Sequence, residues 1–180
     1  EAFHAKKTRR GEAAALTKVG LILERQGKLD ESAAALGSAV SLLAGLSDKP
    51  AHARTLLHWG QVSETRGRSS EAEKAYRQSR EFFHRAGDRQ GRTESSIRLG
   101  RLLVSQDRLA EALDLLQAAL QDAQARKDAR QEMAALMRMA DARVENEEPE
   151  AALVLYRQSL QVAGALHDAP HEAEIRLRLA

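Results

Sequence analysis

Residues 56–79 read LLHWGQVSETRGRSSEAEKAYRQS, and the order of large, small and polar side chains along this stretch sets the architecture. Trp59 and Gly60 are followed by Gly67, then Ala72, Tyr76 and Ser79. Apolar or small residues recur at helical spacing from Arg54 to Arg66 and again from Ser70 to Arg85. Gly67 stands between the two runs, and Ser69 and Ser70 are placed to cap the second. The stretch therefore predicts two antiparallel helices joined by a tight turn.

The same pattern returns along the chain. Gly20, Gly60 and Gly100 lie 40 residues apart, and Ala140 and Ala180 continue the series. Each follows a large apolar residue: Val19, Trp59, Leu99, Met139 and Leu179. Ser32, Ala72, Ala112 and Ala152 keep this period, as do Leu36, Tyr76, Leu116 and Tyr156. Gly27 occupies the slot of Gly67 in the first copy, where later copies have Asp107 and Glu147. Asp30 matches the capping serines. Asp48, Asp88, Asp128 and Asp168 precede each first helix and read as its N-cap, with Pro50 and Pro170 in the first turn. Pro149 opens the second helix of the fourth copy in the same way. Gly or Ala on a first helix is expected to face Ala72 or Ala112 on the second, with Trp59, Tyr76 and Tyr156 filling the space between hairpins. A lone hairpin cannot bury both its faces, so its stability comes from stacking on its neighbours.

Composition agrees with this. Only 3% of residues are aromatic, while Ala and Leu supply most apolar positions, which favours close-packed helices over a β-sandwich. No segment reads as a strand. The chain has no cysteine, which excludes disulfides and thiolate metal sites. Twenty-eight basic residues against 26 acidic ones leave +2, too little excess base for a nucleic-acid or membrane surface. No apolar run approaches the ~18 residues of a transmembrane helix. Arg outnumbers Lys 21 to 7, a bias of GC-rich coding that points to a bacterium.

The spacing resembles the tetratricopeptide repeat (TPR) family, whose signature is a large apolar residue and Gly, a second Gly, then Ala, an aromatic or Leu, and Ala. The chain gives Val19-Gly20, Gly27, Ser32, Leu36, Ala39, and then Trp59-Gly60, Gly67, Ala72, Tyr76, Ser79. It continues with Leu99-Gly100, Asp107, Ala112, Leu116, Ala119, and with Met139-Ala140, Glu147, Ala152, Tyr156, Ser159. The period of 40 exceeds the standard length of about 34 and overlaps HEAT and armadillo repeats, but the internal offsets match TPR. Long repeats with Gly87-Asp88-Arg89 between units are similar to those of animal spindle-orientation adaptors and of bacterial maltose-activator-type regulators. The resemblance implies an all-α fold: an α-solenoid of antiparallel hairpins, a TPR-like right-handed superhelix of about four and a half repeats. Residues 1–8 would end a preceding helix, because Glu1, Phe3, His4 and Gly11 match Glu81, Phe83, His84 and Gly91 in phase. Repeats would then span 9–47, 48–87, 88–127 and 128–167, with 168–180 as a fifth first helix. An array running past both ends reads as part of a longer protein.

In this family the first helices line a concave groove that holds extended peptides or helices. By that resemblance the wall carries Lys18, His58, Arg98, Arg138 and Arg178 in one row and Leu21, Gln61, Arg101 and Asp141 in another. A ladder of cations one repeat apart suits spaced carboxylates, since an Arg fork holds them bidentately. The alternative is a set of solvated arginines paired with nearby acids, each pair worth ~0–1 kcal/mol. Partner-binding residues are therefore expected at Lys18, His58, Gln61, Arg98, Arg101, Arg138 and Arg178, and the partner is an acidic protein or peptide. Thr17 and Leu21 stand where the family's carboxylate clamp needs Lys and Asn, so that clamp is not supported.

Other motifs read as structural. His167, Asp168, His171 and Glu172 have ligand-like spacing, but Pro170 and the repeat phase make the segment a junction with surface histidines. Glu145, Glu147, Glu148 and Glu150 read as a solvated turn. Trp59 is structural by phase, and Phe82 and Phe83 seal the next hairpin. No phosphate loop, nucleophile elbow or converging acid–base set is visible, so no enzyme, cofactor or metal is expected. The expected function is a cytoplasmic protein-interaction scaffold. A sensory array of a bacterial signalling or transcription regulator is the first alternative. A spacer that self-associates through uncapped ends is the second.

Overall fold

The computed structural model describes residues 2–179, and side chains from Lys7 to Leu179. Among the described residues every regular element is a helix. In chain order these are α1 (Ala2–Arg25), α2 (Leu29–Ala44), α3 (Lys49–Thr65), α4 (Ser69–Ala86), α5 (Arg89–Ser105), α6 (Leu109–Ala125), α7 (Ala129–Glu145), α8 (Pro149–Leu166) and α9 (Ala169–Leu179). First helices open at Lys49, Arg89, Ala129 and Ala169, and second helices at Leu29, Ser69, Leu109 and Pro149, so the period of 40 is that of the hairpin. The chain divides into two compact units, Glu1–Ser95 and Ser96–Ala180, with the division inside α5.

Local chemistry places the junctions. Asp48, Asp88, Asp128 and Asp168 each accept the backbone N–H three residues on, at 3.2, 2.8, 3.1 and 3.3 Å. The last three also donate their own N–H to the preceding helix, to the carbonyls of Phe83, Ala123 and Ala163 at 2.9–3.0 Å. One residue thus ends one helix and starts the next. Second helices begin differently. Their N-cap residues Lys28, Arg68 and Arg108, and Glu148 in the last hairpin, make no side-chain cap bond. Ser69, Ser70 and Asp30, read as caps, lie inside the first turns, and Asp30 instead accepts Arg66 at 2.6 Å.

The turn is organised by backbone geometry. Gly27, Gly67, Asp107 and Glu147 all adopt left-handed φ, between 57° and 75°. The next N–H reaches back to the carbonyls of Leu23, Ser63, Leu103 and Arg143 at 2.8–3.0 Å. Asp tolerates this conformation better than Glu, whose longer side chain cannot bond its own backbone as readily. Glu147→Gly is therefore expected to stabilise the fourth hairpin by about 0.5–1 kcal/mol, read as a higher urea midpoint at unchanged slope.

The expected break near residue 8 is absent, since α1 runs from Ala2 to Arg25 without interruption. Lys7-Thr8 stands where later junctions have the capping Asp, and strong helix formers flank it. The phase matches at Phe3 and His4 fall outside the described side chains, and those at Glu1 and Ala180 fall outside the described residues.

In the first unit Trp59 packs on Ala33, Leu36 and Val62, joining α2 to α3 as its phase implied. The glycine pairing differs from expectation. A Cβ on Gly60 would lie 2.7 Å from the ring of Tyr76, and one on Gly20 would lie 2.6 Å from Leu36. The glycine thus faces the bulky residue four positions beyond Ala72, and Tyr76 packs within its own hairpin. Its hydroxyl donates to Glu64 at 2.8 Å. Ser32, in the small-residue slot, is fully buried and donates to the Gly20 carbonyl at 2.7 Å, so its hydroxyl ties the two helices together.

The second unit shows the same arrangement. Gly100 admits Leu116, whose side chain would lie only 2.6 Å from a Cβ at that position. Tyr156 packs with Met133, Met137, Ala140, Ala152, Ala163 and Ile175, again within the hairpin and against α9. A second cluster, of Ile97, Leu116, Ala119, Leu120, Ala135, Leu136 and Met139, joins α5, α6 and α7.

His52 is a buried group that the repeat pattern does not announce. Its ring stacks on Phe82 at 4.5 Å between centroids, and burial lowers its pKa. A His whose folded pKa is depressed adds stability above its ordinary value near ~6.5, and this is lost as pH falls through the lowered value. The melting temperature is expected to fall between neutral pH and pH ~5, and less so in His52→Gln. Parallel slopes for the two proteins would remove His52 from the account.

Candidate functional site

The predicted site residues divide between the units. In the first, Lys18 is exposed on α1, and His58 and Gln61 are half-buried on α3. His58 lines a cavity of about 280 Å³ with Arg54, Leu57, Phe83, Asp88, Gln90, Gly91 and Glu94. Two carboxylates and one guanidinium surround it, so this end of the expected basic row is mixed in charge.

In the second unit Arg98 is half-buried on α5, Arg101 is exposed on the same helix, and Arg138 is half-buried on α7. Arg178 is exposed on α9 as a residue, although its side chain retains only 33% of its accessible surface. Three first helices contribute to one cavity of about 600 Å³, lined by Arg101, Val104, Ser105, Asp107, Asp141, Val144, Glu145, Tyr156 and Arg178. Two of the predicted arginines therefore share a cavity, and Arg98 and Arg138 are not among its lining residues.

Asp141 organises this cavity. Its carboxylate accepts Arg138 at 2.8 Å, the hydroxyl of Tyr156 at 2.7 Å, and Arg178 through a further ion pair. Arg178 also pairs with Glu174 at 2.9 Å. Burial raises the Tyr156 pKa, the hydrogen bond to Asp141 raises it further, and Arg178 opposes both. Arginines read as a ladder awaiting an acid are thus partly engaged by acids of this chain. The Arg138–Asp141 pair is an i, i+3 contact that spacing makes visible. The Arg178–Asp141 pair spans 37 residues and emerges only from stacking.

Several lining residues were not singled out as site residues. Val144, 49% exposed, sits a turn from Asp141, and its slot-mate Val104 lines the same cavity. Glu145 belongs to the stretch read as a solvated turn, but it lines the cavity too. His171 pairs with Asp168 at 2.9 Å, and His167 takes a left-handed φ of 54° at the end of α8. Among the described residues no group of three or more His, Cys, Asp or Glu is placed to hold a metal, and no helix is long and apolar enough to cross a membrane.

The tetratricopeptide repeat family model matches residues 11–85, which hold the first two hairpins almost entirely. This segment resembles a TPR array. The hairpins beyond it keep the TPR-like fold, as solved structures show. BtubC from P. vanneervenii superposes with a TM-score of 0.78 at 15% identity, over 86% of this chain and 64% of that one. A Rap protein complexed with competence and sporulation factor gives 0.79 at 14% identity, over 91% and 46%. A signal-transduction ATPase with a tetratricopeptide repeat sensor, from Pyrococcus horikoshii, gives 0.84 at 13% identity, over 93% and 26%. The chain thus spans less than two thirds of each of these proteins, and at these identities the likeness is one of fold. No curated protein sequence matches the chain.

Proposed function

We propose that this chain is a binding module, without catalysis of its own, that holds a peptide or helix of a partner protein against its first helices. The observation that carries this is the cavity of the second unit, where α5, α7 and α9 bring Arg101, Asp141 and Arg178 together around an apolar strip. A concave site with a few converging polar groups and an apolar floor is what a recognition surface requires. Arginine forks suit a carboxylate from the partner, so acidic groups are the natural counterpart of this face. Arg101→Glu with Arg178→Glu, the two arginines that line this cavity, is expected to abolish capture of the partner in a pull-down while helicity by circular dichroism stays unchanged. Equal capture by both proteins would sink the assignment to this face.

A second reading is a sensory array within a larger bacterial regulator. Its support is likeness to a Rap protein complexed with a peptide factor and to an ATPase whose tetratricopeptide repeats are a sensor. A nucleotide- or DNA-binding domain beside this array in the full gene would favour it. Self-association is the weaker third reading, supported by Val19 and Ile22, which remain 45% and 55% exposed on α1. Light scattering over a concentration series tests it, and a constant mass would exclude it.

A further inference from the structure

The cavity of the second unit is graded in charge along its helices. Arg101 and Asp141 occupy one slot of successive repeats, Val104 and Val144 the next, and Ser105 and Glu145 the one after. At the helical rise, the step from Arg101 to Ser105 is about 6 Å, and Asp107 lies beyond it in the turn. One end therefore gathers Arg101 and Arg178 with Asp141, and Arg138, which does not line the cavity, pairs with the same carboxylate. The middle is apolar, through Val104 and Val144. Among the described lining residues, the far end carries Glu145 and Asp107 and no base.

We infer that this cavity selects a partner segment in which an acidic side chain, an apolar body and a basic side chain follow one another over about 6–10 Å. A uniformly acidic segment would fit less well. The inference rests on the peptide-binding reading and narrows it. The partner's carboxylate joins the arginines around Asp141, its apolar residues cover Val104 and Val144, and its cation meets Glu145 and Asp107. An all-acidic segment would instead set a carboxylate beside two others, and juxtaposed like charges at an interface are the usual means of rejecting a wrong partner. An all-basic segment would meet the arginines. Both ends thus discriminate, and neither could do so if the row were uniformly basic.

The test uses the whole chain, labelled with nitrogen-15 and titrated in NMR with three capped peptides: Ala-Asp-Leu-Leu-Lys-Ala, Ala-Asp-Leu-Leu-Asp-Ala and Ala-Lys-Leu-Leu-Lys-Ala. The mixed peptide is expected to bind roughly fivefold more tightly than either other, with shifts at the Val104 and Val144 amides. Glu145→Lys should turn the preference towards the all-acidic peptide. Asp107→Gly is the milder variant, because a left-handed φ of 59° suits Gly and the charge alone is lost. It should weaken the preference without loss of helicity. If the all-acidic peptide binds as well as the mixed one and shifts the same amides, the charge pattern is wrong and the binding face stands. If none of the three binds, both readings fall.

Discussion

Gly91→Ala is expected to destabilise the first unit by about 1–3 kcal/mol, and Phe83→Leu is expected to rescue much of that loss. A Cβ on Gly91 would sit 2.5 Å from both Cδ1 and Cε1 of Phe83 and 2.7 Å from its Cγ. Carbon atoms pack best at about 3.5–4.0 Å, so something must move by a full ångström. The Phe83 ring is rigid and only 2% exposed, so it has little room to yield. The other repeats show how the sequence solves this. The slots of Phe83 and Gly91 hold Leu43 and Ala51 in one repeat, Ala123 and Gln131 in another, and Ala163 and His171 in a third. Where one slot is large the other is small. Phe83→Leu with Gly91→Ala recreates the Leu43–Ala51 combination, so the double variant should lose less than the two single losses added, by about 1 kcal/mol. Urea unfolding of the four proteins closes the cycle. Additive losses would mean that the two residues do not share the space.

That compensation shows why some of this molecule was legible in its sequence and some was not. The capping bonds of Asp48, Asp88, Asp128 and Asp168 are local, each closing over three residues, so recurrence alone exposes them. The helices and their period follow from the same short-range signals. What faces what depends on the register between two helices. Ala72 and Tyr76 both lie on the inner face of α4, and periodicity cannot decide which of them meets Gly60. Charge is harder still. A row of arginines is visible from spacing, but its state depends on acids brought in by stacking, as Asp141 is to Arg178. Val144 and Glu145 lie one turn beyond that row, past the residues that the resemblance pointed to. The left-handed turn at Glu147 was within reach, because Gly27 and Gly67 mark the slot in earlier repeats.

Asp141→Ala is expected to cost stability and to increase affinity for acidic peptides at the same time. One carboxylate, with 18% of its side-chain surface accessible, receives donors from α7, α8 and α9 through Arg138, Tyr156 and Arg178. Removing it leaves a phenol and two guanidiniums without that acceptor, and each hydrogen bond to a charged group contributes about 1.5–3 kcal/mol. Water reaches the cavity and replaces part of this, so a net loss of about 1–3 kcal/mol is expected. Two independent readouts follow the electrostatics. The phenol of Tyr156 is held protonated by burial and by the hydrogen bond to Asp141, against the influence of Arg178. Without Asp141 only burial still opposes the arginine, and Tyr156 should titrate at lower pH than in the parent chain. With two tyrosines in the chain, Tyr76→Phe in the same background isolates its absorbance. The second readout is binding: with Asp141 gone, Arg178 in the cavity wall should hold the all-acidic peptide more tightly, and added salt should erase most of the gain. Asp141→Asn separates the causes, since it keeps an acceptor for Tyr156 but discards the charge. If Asp141 is only a packing residue, Asp141→Asn will leave peptide affinity unchanged. If it is the acid that already occupies this site, Asp141→Asn will bind the acidic peptide nearly as well as Asp141→Ala and lose less stability.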